Sequence, residues 1–278
     1  MKIVKTISEL RNIVKSWKSQ GFSVGLVPTM GYLHEGHQSL IKAALENDRV
    51  IVSVFVNPMQ FAPNEDLVSY PRDMQRDCSI CEESGVNIVF APEADEMYEE
   101  GFCSYVGMSV LTEALCGMSR PEYFRGFCTV VTKLFNITTP DKAYFGQKDA
   151  QQLAVVKRMV KDLNMNVTIV SCAIVREEDG LAISSRNTYL NTEERRSALI
   201  LSKTIRLAQG LVQAGEKGAE VIIKAMRENI ATEPLARVDY VEIVDANTIQ
   251  RVDTIDGQVL VAISVYIRKT RLIDNFTT

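Results

Sequence analysis

Histidine is nearly missing from this sequence of 278 residues, which carries only His34 and His37. Chemistry that needs imidazole is therefore confined to one short stretch, and a metal centre of three histidines is excluded. The chain has no G-x-x-x-x-G-K-[ST] and no G-x-G-x-x-G, so a bound nucleotide would need a device other than these two loops. It has no basic surplus: 31 Lys and Arg stand against 35 Asp and Glu, a net charge of -4. That balance argues against a nucleic-acid-coating surface and leaves room for a local basic pocket. No apolar run reaches the roughly 18–20 residues that span a bilayer. The first twenty residues lack the apolar stretch of a signal peptide and show an amphipathic helical pattern instead. The expected location is the cytoplasm, with no membrane partner. The six cysteines, at 78, 81, 103, 116, 128 and 172, have no spacing of a disulfide framework. Cys78-x-x-Cys81 has no second pair and lies in a helical pattern, so it reads as two thiols packed one helical turn apart.

What the chain does have is a sizeable apolar fraction, 46%, and a regular alternation of short β-rich runs with helical patterns. Strand patterns fall at residues 23–27, 50–56, 87–90, 143–145 and 167–170. Helical patterns fall at 36–48, 70–83, 126–138 and 149–163. The run VIVSVFV is strongly β-branched, as suits a strand buried on both faces. Such alternation implies right-handed crossovers and a parallel sheet. After about residue 172 the order changes to two helices (192–214 and 219–231) and two strands (238–244 and 258–267). The expected fold class is α/β, a Rossmann-like parallel-sheet domain over 1–172 followed by a smaller α+β domain over 173–278.

Four segments can carry chemistry. Both histidines lie in Pro28-Thr29-Met30-Gly31-Tyr32-Leu33-His34-Glu35-Gly36-His37, which joins a strand to a helix N-terminus. Ligands bind at strand carboxyl ends in open α/β sheets. A helix N-terminus offers free N–H groups to phosphate. Metal ligation and plain capping compete with that reading, although no third imidazole exists for a metal. The second segment is Phe145-Gly146-Gln147-Lys148-Asp149, where Lys148 is either a phosphate-reaching charge or a solvated side chain. Gln151 and Gln152 follow and can bond a polar substrate. The third, the Gly-containing loop Glu178-Asp179-Gly180-Leu181-Ala182-Ile183-Ser184-Ser185-Arg186-Asn187, offers two hydroxyls and a guanidinium to polyphosphate, but Ser-Ser-Arg also occurs in ordinary surface loops. The fourth is Phe55-Val56-Asn57-Pro58-Met59-Gln60-Phe61, either a polar acid-binding corner built on Asn57 and Gln60 or a plain turn after a strand.

Taken together, PTMGYLHEGH, VSVFVNPMQF, YPRD, YFGQKDAQQL and REEDGLAISSRN resemble the pantoate–β-alanine ligase family over most of the chain. That family is related to the class I aminoacyl-tRNA synthetases. The resemblance implies a two-step reaction. Pantoate carboxylate attacks the α-phosphorus of Mg2+-bound ATP, releasing pyrophosphate, and β-alanine then displaces AMP from pantoyl adenylate to give pantothenate. It implies an ATP site of Met30, Gly31, Tyr32, Leu33, His34, Glu35, Gly36, His37, Gly146, Gln147, Lys148, Asp149, Val175, Ile183, Ser184, Ser185 and Arg186. His37 is implied as proton donor, with His34, Lys148, Ser184, Ser185 and Arg186 stabilising charge. Gln60 and Gln152 are implied to bind pantoate, and Gln60 β-alanine as well. Mg2+ is expected to arrive with ATP rather than on a protein site, the smaller domain to close over ATP, and the chain to form a homodimer without nucleic-acid partners. Three places depart from the family pattern: Gln147 stands where Glu is common, Pro121-Glu122-Tyr123-Phe124 where the family has Pro-Gly-His-Phe, and Ile183 before Ser184-Ser185-Arg186 where the family has Met or Leu, a change expected to be neutral.

Overall fold

The computed structural model describes residues 1–63 and 65–278. The chain divides into two compact units, one of Met1–Ser109, Arg120–Gln147 and Val155–Ala173, the other of Val110–Ser119, Lys148–Ala154 and Ile174–Thr278.

The first unit is built on six strands: β1 (Lys2–Val4), β2 (Val24–Thr29), β3 (Arg49–Val54), β4 (Ile88–Phe90), β5 (Lys142–Gly146) and β6 (Thr168–Cys172). They form one sheet in the order β1-β4-β3-β2-β5-β6, and every neighbouring pair is parallel. The helices in chain order are α1 (Ile7–Ser19), α2 (Glu35–Ala44), α3 (Met74–Glu83), α4 (Ala94–Met97), α5 (Cys116–Ser119), α6 (Tyr123–Thr138) and α7 (Ala150–Asp162). Of these, α5 belongs to the second unit, and the division passes through α7. Val50 to Val54 are all buried in β3, as a β-branched run in a covered parallel sheet requires. The stripe Leu40, Ile41 and Ala44 of α2 is buried against this sheet. Cys81 on α3 is fully buried, and burial pushes its thiol up to about 12, so it packs as an inert apolar group. Along the sheet, strand order runs outward from β2 through β3 in one direction and from β5 to β6 in the other. The adjacent strands β2 and β5 are therefore the topological switch point, the place where open α/β sheets bind their ligands.

Two local readings need correction. The first four residues are not helical: β1 pairs with β4, and Thr6 then caps α1 by accepting from the N–H of Glu9 at 3.4 Å. A three-residue edge strand is too short to show a period. The helix expected from residue 70 begins at Met74, because Pro71 cannot supply the N–H of a helix interior and Asp73 caps by accepting from Arg76 N–H at 3.0 Å.

The second unit carries α8 (Thr192–Ser197), α9 (Leu199–Gln213), α10 (Ala219–Ala231) and an antiparallel sheet β7-β8-β9 made of Ala236–Asp245, Val259–Ile267 and Thr270–Thr277. The helical pattern at 192–214 is interrupted at Ala198, giving two helices. Its core joins Leu201 and Ile205 of α9, Ile222, Met226 and Ile230 of α10, and Val261, Ile263 and Val265 of β8. Strand β9 has no counterpart among the expected strands because TRLIDNFT looks polar. Its Asp274 is 1% exposed and takes a two-pronged bond from Arg176, at 2.7 and 2.8 Å. The charge is buried because it is paired. The architecture is the expected α/β class, a Rossmann-like parallel sheet with a smaller α+β part. Among the described residues no helix is long and apolar enough to cross a membrane. Substituting Asp274→Ala should lower unfolding stability by about 2–4 kcal/mol, since half of a buried pair is left behind and Arg176 is partly solvated. Urea unfolding followed by circular dichroism measures it.

Candidate active site

The loop leaving β2 is held from three directions. Thr29 Oγ1 donates to Ser53 O at 2.7 Å and accepts from Gly31 N–H at 3.1 Å. Gly31 has φ +84, and a Cβ there would meet Val54 Cγ1 at 2.9 Å and Asp77 Oδ2 at 3.0 Å, so only glycine fits. Tyr32 follows at φ 51, a conformation that costs a non-glycine residue about 1 kcal/mol or more. Asp77 of α3 offsets that cost. Its carboxylate accepts from Tyr32 N–H at 2.8 Å and from Leu33 N–H at 2.7 Å. Burial raises the pKa of Asp77 above its ordinary value, while the two amides pull the other way by stabilising the charged form.

The loop delivers the histidines to the start of α2. His34 is the extended N-cap residue, and its N–H donates to His37 Nδ1 at 3.3 Å. The rings stack with centroids 4.0 Å apart. With Nδ1 accepting, neutral His37 carries its hydrogen on Nε2, which makes that atom the ring's donor. A Cβ at Gly36 would stand 2.9 Å from His34 Cε1, so this glycine makes room for the first ring. Met30, Tyr32, His34, Gly36 and His37 are half-buried, Gly31 and Leu33 are buried, and Glu35 is exposed. The arrangement places imidazole donors beside first-turn amides, which a helix leaves without intrahelical partners, a surface suited to a polyanion.

In the same unit, the turn Pro58–Gln60 follows β3, with Asn57 as its cap. Gln60 is 6% exposed and Asn57 is 1% exposed. Arg120 reaches Gln60 O at 3.1 Å and forms a two-pronged ion pair with Glu65. Tyr123, where the family pattern has histidine, lies under Arg120 with the guanidinium 4.0 Å from the ring centre. It is a buried support, adjoining Phe124 and Phe127. Helix α6 comes so close that a Cβ on Gly126 would be 2.0 Å from Met59 O. Gly146 and Gln147 leave β5 in this unit, at the strand next to β2.

The second unit holds Lys148, Asp149, Gln152, Val175, Ile183, Ser184, Ser185 and Arg186. Lys148 is half-buried, and its carbonyl accepts from Asn275 Nδ2 of β9 at 2.8 Å. Residues 175–183 fold back on themselves, Ile183 N–H donating to Val175 O at 3.0 Å and Glu177 N–H to Leu181 O at 2.9 Å. Arg195 clasps this turn by pairing with Glu177 at 2.6 Å and Asp179 at 2.7 Å. Ser184 Oγ then accepts from Arg186 N–H at 3.3 Å. Gln151 is spent on structure: its Nε2 donates to Leu111 O and Ala114 O, both at 2.8 Å, and its Oε1 accepts from Cys116 N–H at 2.9 Å. It does not have the free amide that a substrate ligand needs.

Asp77 and Asn275 escaped the reading of the sequence. Each sits far along the chain from what it holds, and an acid in a helical pattern ordinarily marks a solvated face. Among the described residues, no group of three His, Cys, Asp or Glu is placed to hold a metal ion.

Fold and site together define an α/β enzyme with a Rossmann-like sheet whose switch-point loop ends in paired histidines at a helix N-terminus. The sequence model of pantoate-beta-alanine ligase matches residues 2–277. A pantothenate synthetase of Ruminiclostridium cellulolyticum is 62% identical over 277 residues, covering 100% of this chain and 99% of that one. The crystal structure of pantothenate synthetase from Thermus thermophilus superposes with TM-score 0.94 at 41% identity, over 99% of both chains. The pantoate-beta-alanine ligase of Francisella tularensis, crystallised with beta-gamma ATP and β-alanine, gives TM-score 0.81 at 34% identity, over 99% of this chain and 97% of that one. This chain belongs to the pantoate–β-alanine ligase family and is a ligase.

Replacing Asp77→Ala releases the Tyr32 and Leu33 amides and the left-handed turn between them. Ligase turnover should fall about 10²-fold, the scale of an ångström-sized misplacement of a catalytic group. The far-ultraviolet circular dichroism should stay that of the unsubstituted protein.

Proposed function

We propose that this protein condenses pantoate with β-alanine at the expense of ATP, through pantoyl adenylate, giving pantothenate, AMP and pyrophosphate. The observation that carries the reading is the His34–His37 pair at the N-terminus of α2, with His37 Nδ1 accepting and Nε2 the donor. The family supplies the substrates; a relative crystallised with beta-gamma ATP and β-alanine supports the nucleotide and the amine.

In the first step a pantoate carboxylate oxygen bonds to the α-phosphorus, and the bond from that phosphorus to the bridging oxygen of pyrophosphate breaks. Negative charge moves onto the departing pyrophosphate. His37 Nε2–H and the first-turn amides of α2 bind that charge, and His34, stacked on His37, does the same. Lys148, Ser184, Ser185 and Arg186 act on the triphosphate as point charge, hydroxyl donors and guanidinium fork. Met30 to Glu35, Gly146, Gln147, Asp149, Val175 and Ile183 line the nucleotide, whose Mg2+ enters as part of the substrate. Gln60 and Gln152 bind pantoate. In the second step the free amine of β-alanine, held near Gln60, attacks the acyl carbon; the bond to AMP oxygen breaks and the amine proton passes to solvent. None of these steps needs a covalent enzyme intermediate, so catalysis rests on alignment and charge. Closure of the smaller domain over ATP, a cytoplasmic location and a homodimer belong to the same reading.

Phosphorus NMR of the reaction should show AMP and pyrophosphate appearing only when pantoate is present; ADP with inorganic phosphate would exclude the adenylate. His37→Ala should slow adenylate formation by about 10²–10³-fold, the loss that follows removal of one transition-state donor. Single-turnover pyrophosphate release reads this directly.

A further inference from the structure

A line of hydrogen bonds runs into Gln60 from behind. Tyr98 O–H donates to Asn57 Oδ1 at 2.7 Å. Asn57 Nδ2 donates to Gln60 Oε1 at 2.9 Å. The sense of the Asn57 amide is set by backbone groups that have no choice of role: Met59 N–H, an obligate donor, faces Oδ1 at 3.3 Å, and Gly126 C=O, an obligate acceptor, faces Nδ2 at 3.1 Å. With its Oε1 taken by Asn57, Gln60 has its Nε2 to offer a bound molecule, a group with two donors and no acceptor. All the donors along the line therefore point the same way, from the phenol toward the substrate. Hydrogen bonds arranged head to tail polarise one another, and do so more strongly where water is excluded. Asn57 is 1% exposed.

Tyr98 is built to stay in place. Its ring lies 5.0 Å from Phe102 and 6.2 Å from Phe55, between centres, with Lys133 Nζ 5.6 Å above it. Burial also raises the pKa of its hydroxyl far above the ordinary phenol value. The group is therefore a donor at every working pH. Of the two bonds to Asn57 Oδ1, the phenol's is the shorter by 0.6 Å, the difference between 3.3 and 2.7 Å.

We propose that Tyr98 is a positioning residue for the carboxylic-acid substrate, acting through Asn57 to pin and polarise the Gln60 amide so that it meets the acid with N–H donors. The proposal rests on the reading of Gln60 as an acid-binding residue. It makes the site selective for acceptor-bearing molecules, such as a carboxylate or an adjacent hydroxyl oxygen, at this position.

The test is a double-mutant cycle of Tyr98→Phe and Gln60→Ala, with kcat/KM measured separately for pantoate and ATP and Tm measured for each protein. Phenylalanine keeps the ring and its packing and removes only the hydroxyl. Tyr98→Phe should lower kcat/KM for pantoate about ten- to a hundredfold, the loss expected when a buried acceptor gives up its main partner. The KM for ATP and the Tm should stay as in the unsubstituted protein. In the Gln60→Ala background the same change should do little more, because its effect travels through Gln60. Additive losses, an equal loss toward ATP, or an unaltered Tyr98→Phe enzyme would overturn the relay. If Gln60→Ala itself leaves pantoate kinetics intact, the acid-site reading of Gln60 fails and takes the relay with it. A defective Gln60→Ala beside a normal Tyr98→Phe sinks the relay alone.

Discussion

Two neighbouring backbone amides, of Tyr32 and Leu33, converge on the two oxygens of one carboxylate, Asp77. The path of the loop from β2 to α2 follows from that convergence. Left to itself, a non-glycine residue at φ 51 relaxes toward commoner backbone angles. Here it is held, and the next two residues turn the chain so that His34 arrives extended as the helix cap. An amide side chain could accept from one of these N–H groups but would turn its own NH2 toward the other, which explains why a carboxylate stands there. The penalty is visible in the residue itself: burial drives the pKa of Asp77 upward even though two donors hold its charge. Helix α3 thus does more than cover the sheet. Its inner face supplies both an apolar packing group, Cys81, and the anchor of the loop that carries the histidines, one turn apart.

Much of this was legible in the sequence, and the reason is local. The β-branched run of β3, the apolar stripe of α2 and the strand-to-helix passage through His-Glu-Gly-His are each encoded by adjacent residues. So is the alternation that gives a parallel sheet. What stayed illegible involves pairs far apart in the chain. Asp77 acts on residues 44 and 45 positions earlier, and Asn275 acts on Lys148 from 127 positions away. No periodicity reports such a partner. Strand β9 was hidden for a related reason: Asp274 and Asn275 look solvent-facing until Arg176 and the Lys148 carbonyl are seen to satisfy them.

Polar side chains in this protein divide by whether the backbone has already claimed them. Gln151 and Gln152 are neighbours with the same functional group. Gln151 spends its amide on the segment from Leu111 to Cys116, which removes it from chemistry. Asn57 is equally committed, but its commitments have a direction and end at Gln60. Tyr123 shows the same division for aromatics: in place of an imidazole it offers a face on which Arg120 rests, and Arg120 in turn holds the main chain of Gln60. Identity alone does not tell a ligand from a brace; the state of its donors and acceptors does.

The turn at residues 175–183 has a consequence for the segment that follows it, the one proposed to meet a polyphosphate. It is closed by a short backbone ladder, clasped by Arg195 and tied to β9 through Arg176 and Asp274. Fixing a residue's backbone costs about 1–2 kcal/mol of conformational entropy. Because the ordering of the residues leading into Ser184, Ser185 and Arg186 is completed during folding, little of that entropy is left to lose at encounter. A preorganised segment captures its ligand with a smaller entropic barrier than one that must fold around it. For the nucleotide site proposed there, the calorimetric signature is a modest entropic penalty on association, set in advance by the ion pairs of Glu177, Asp179 and Asp274.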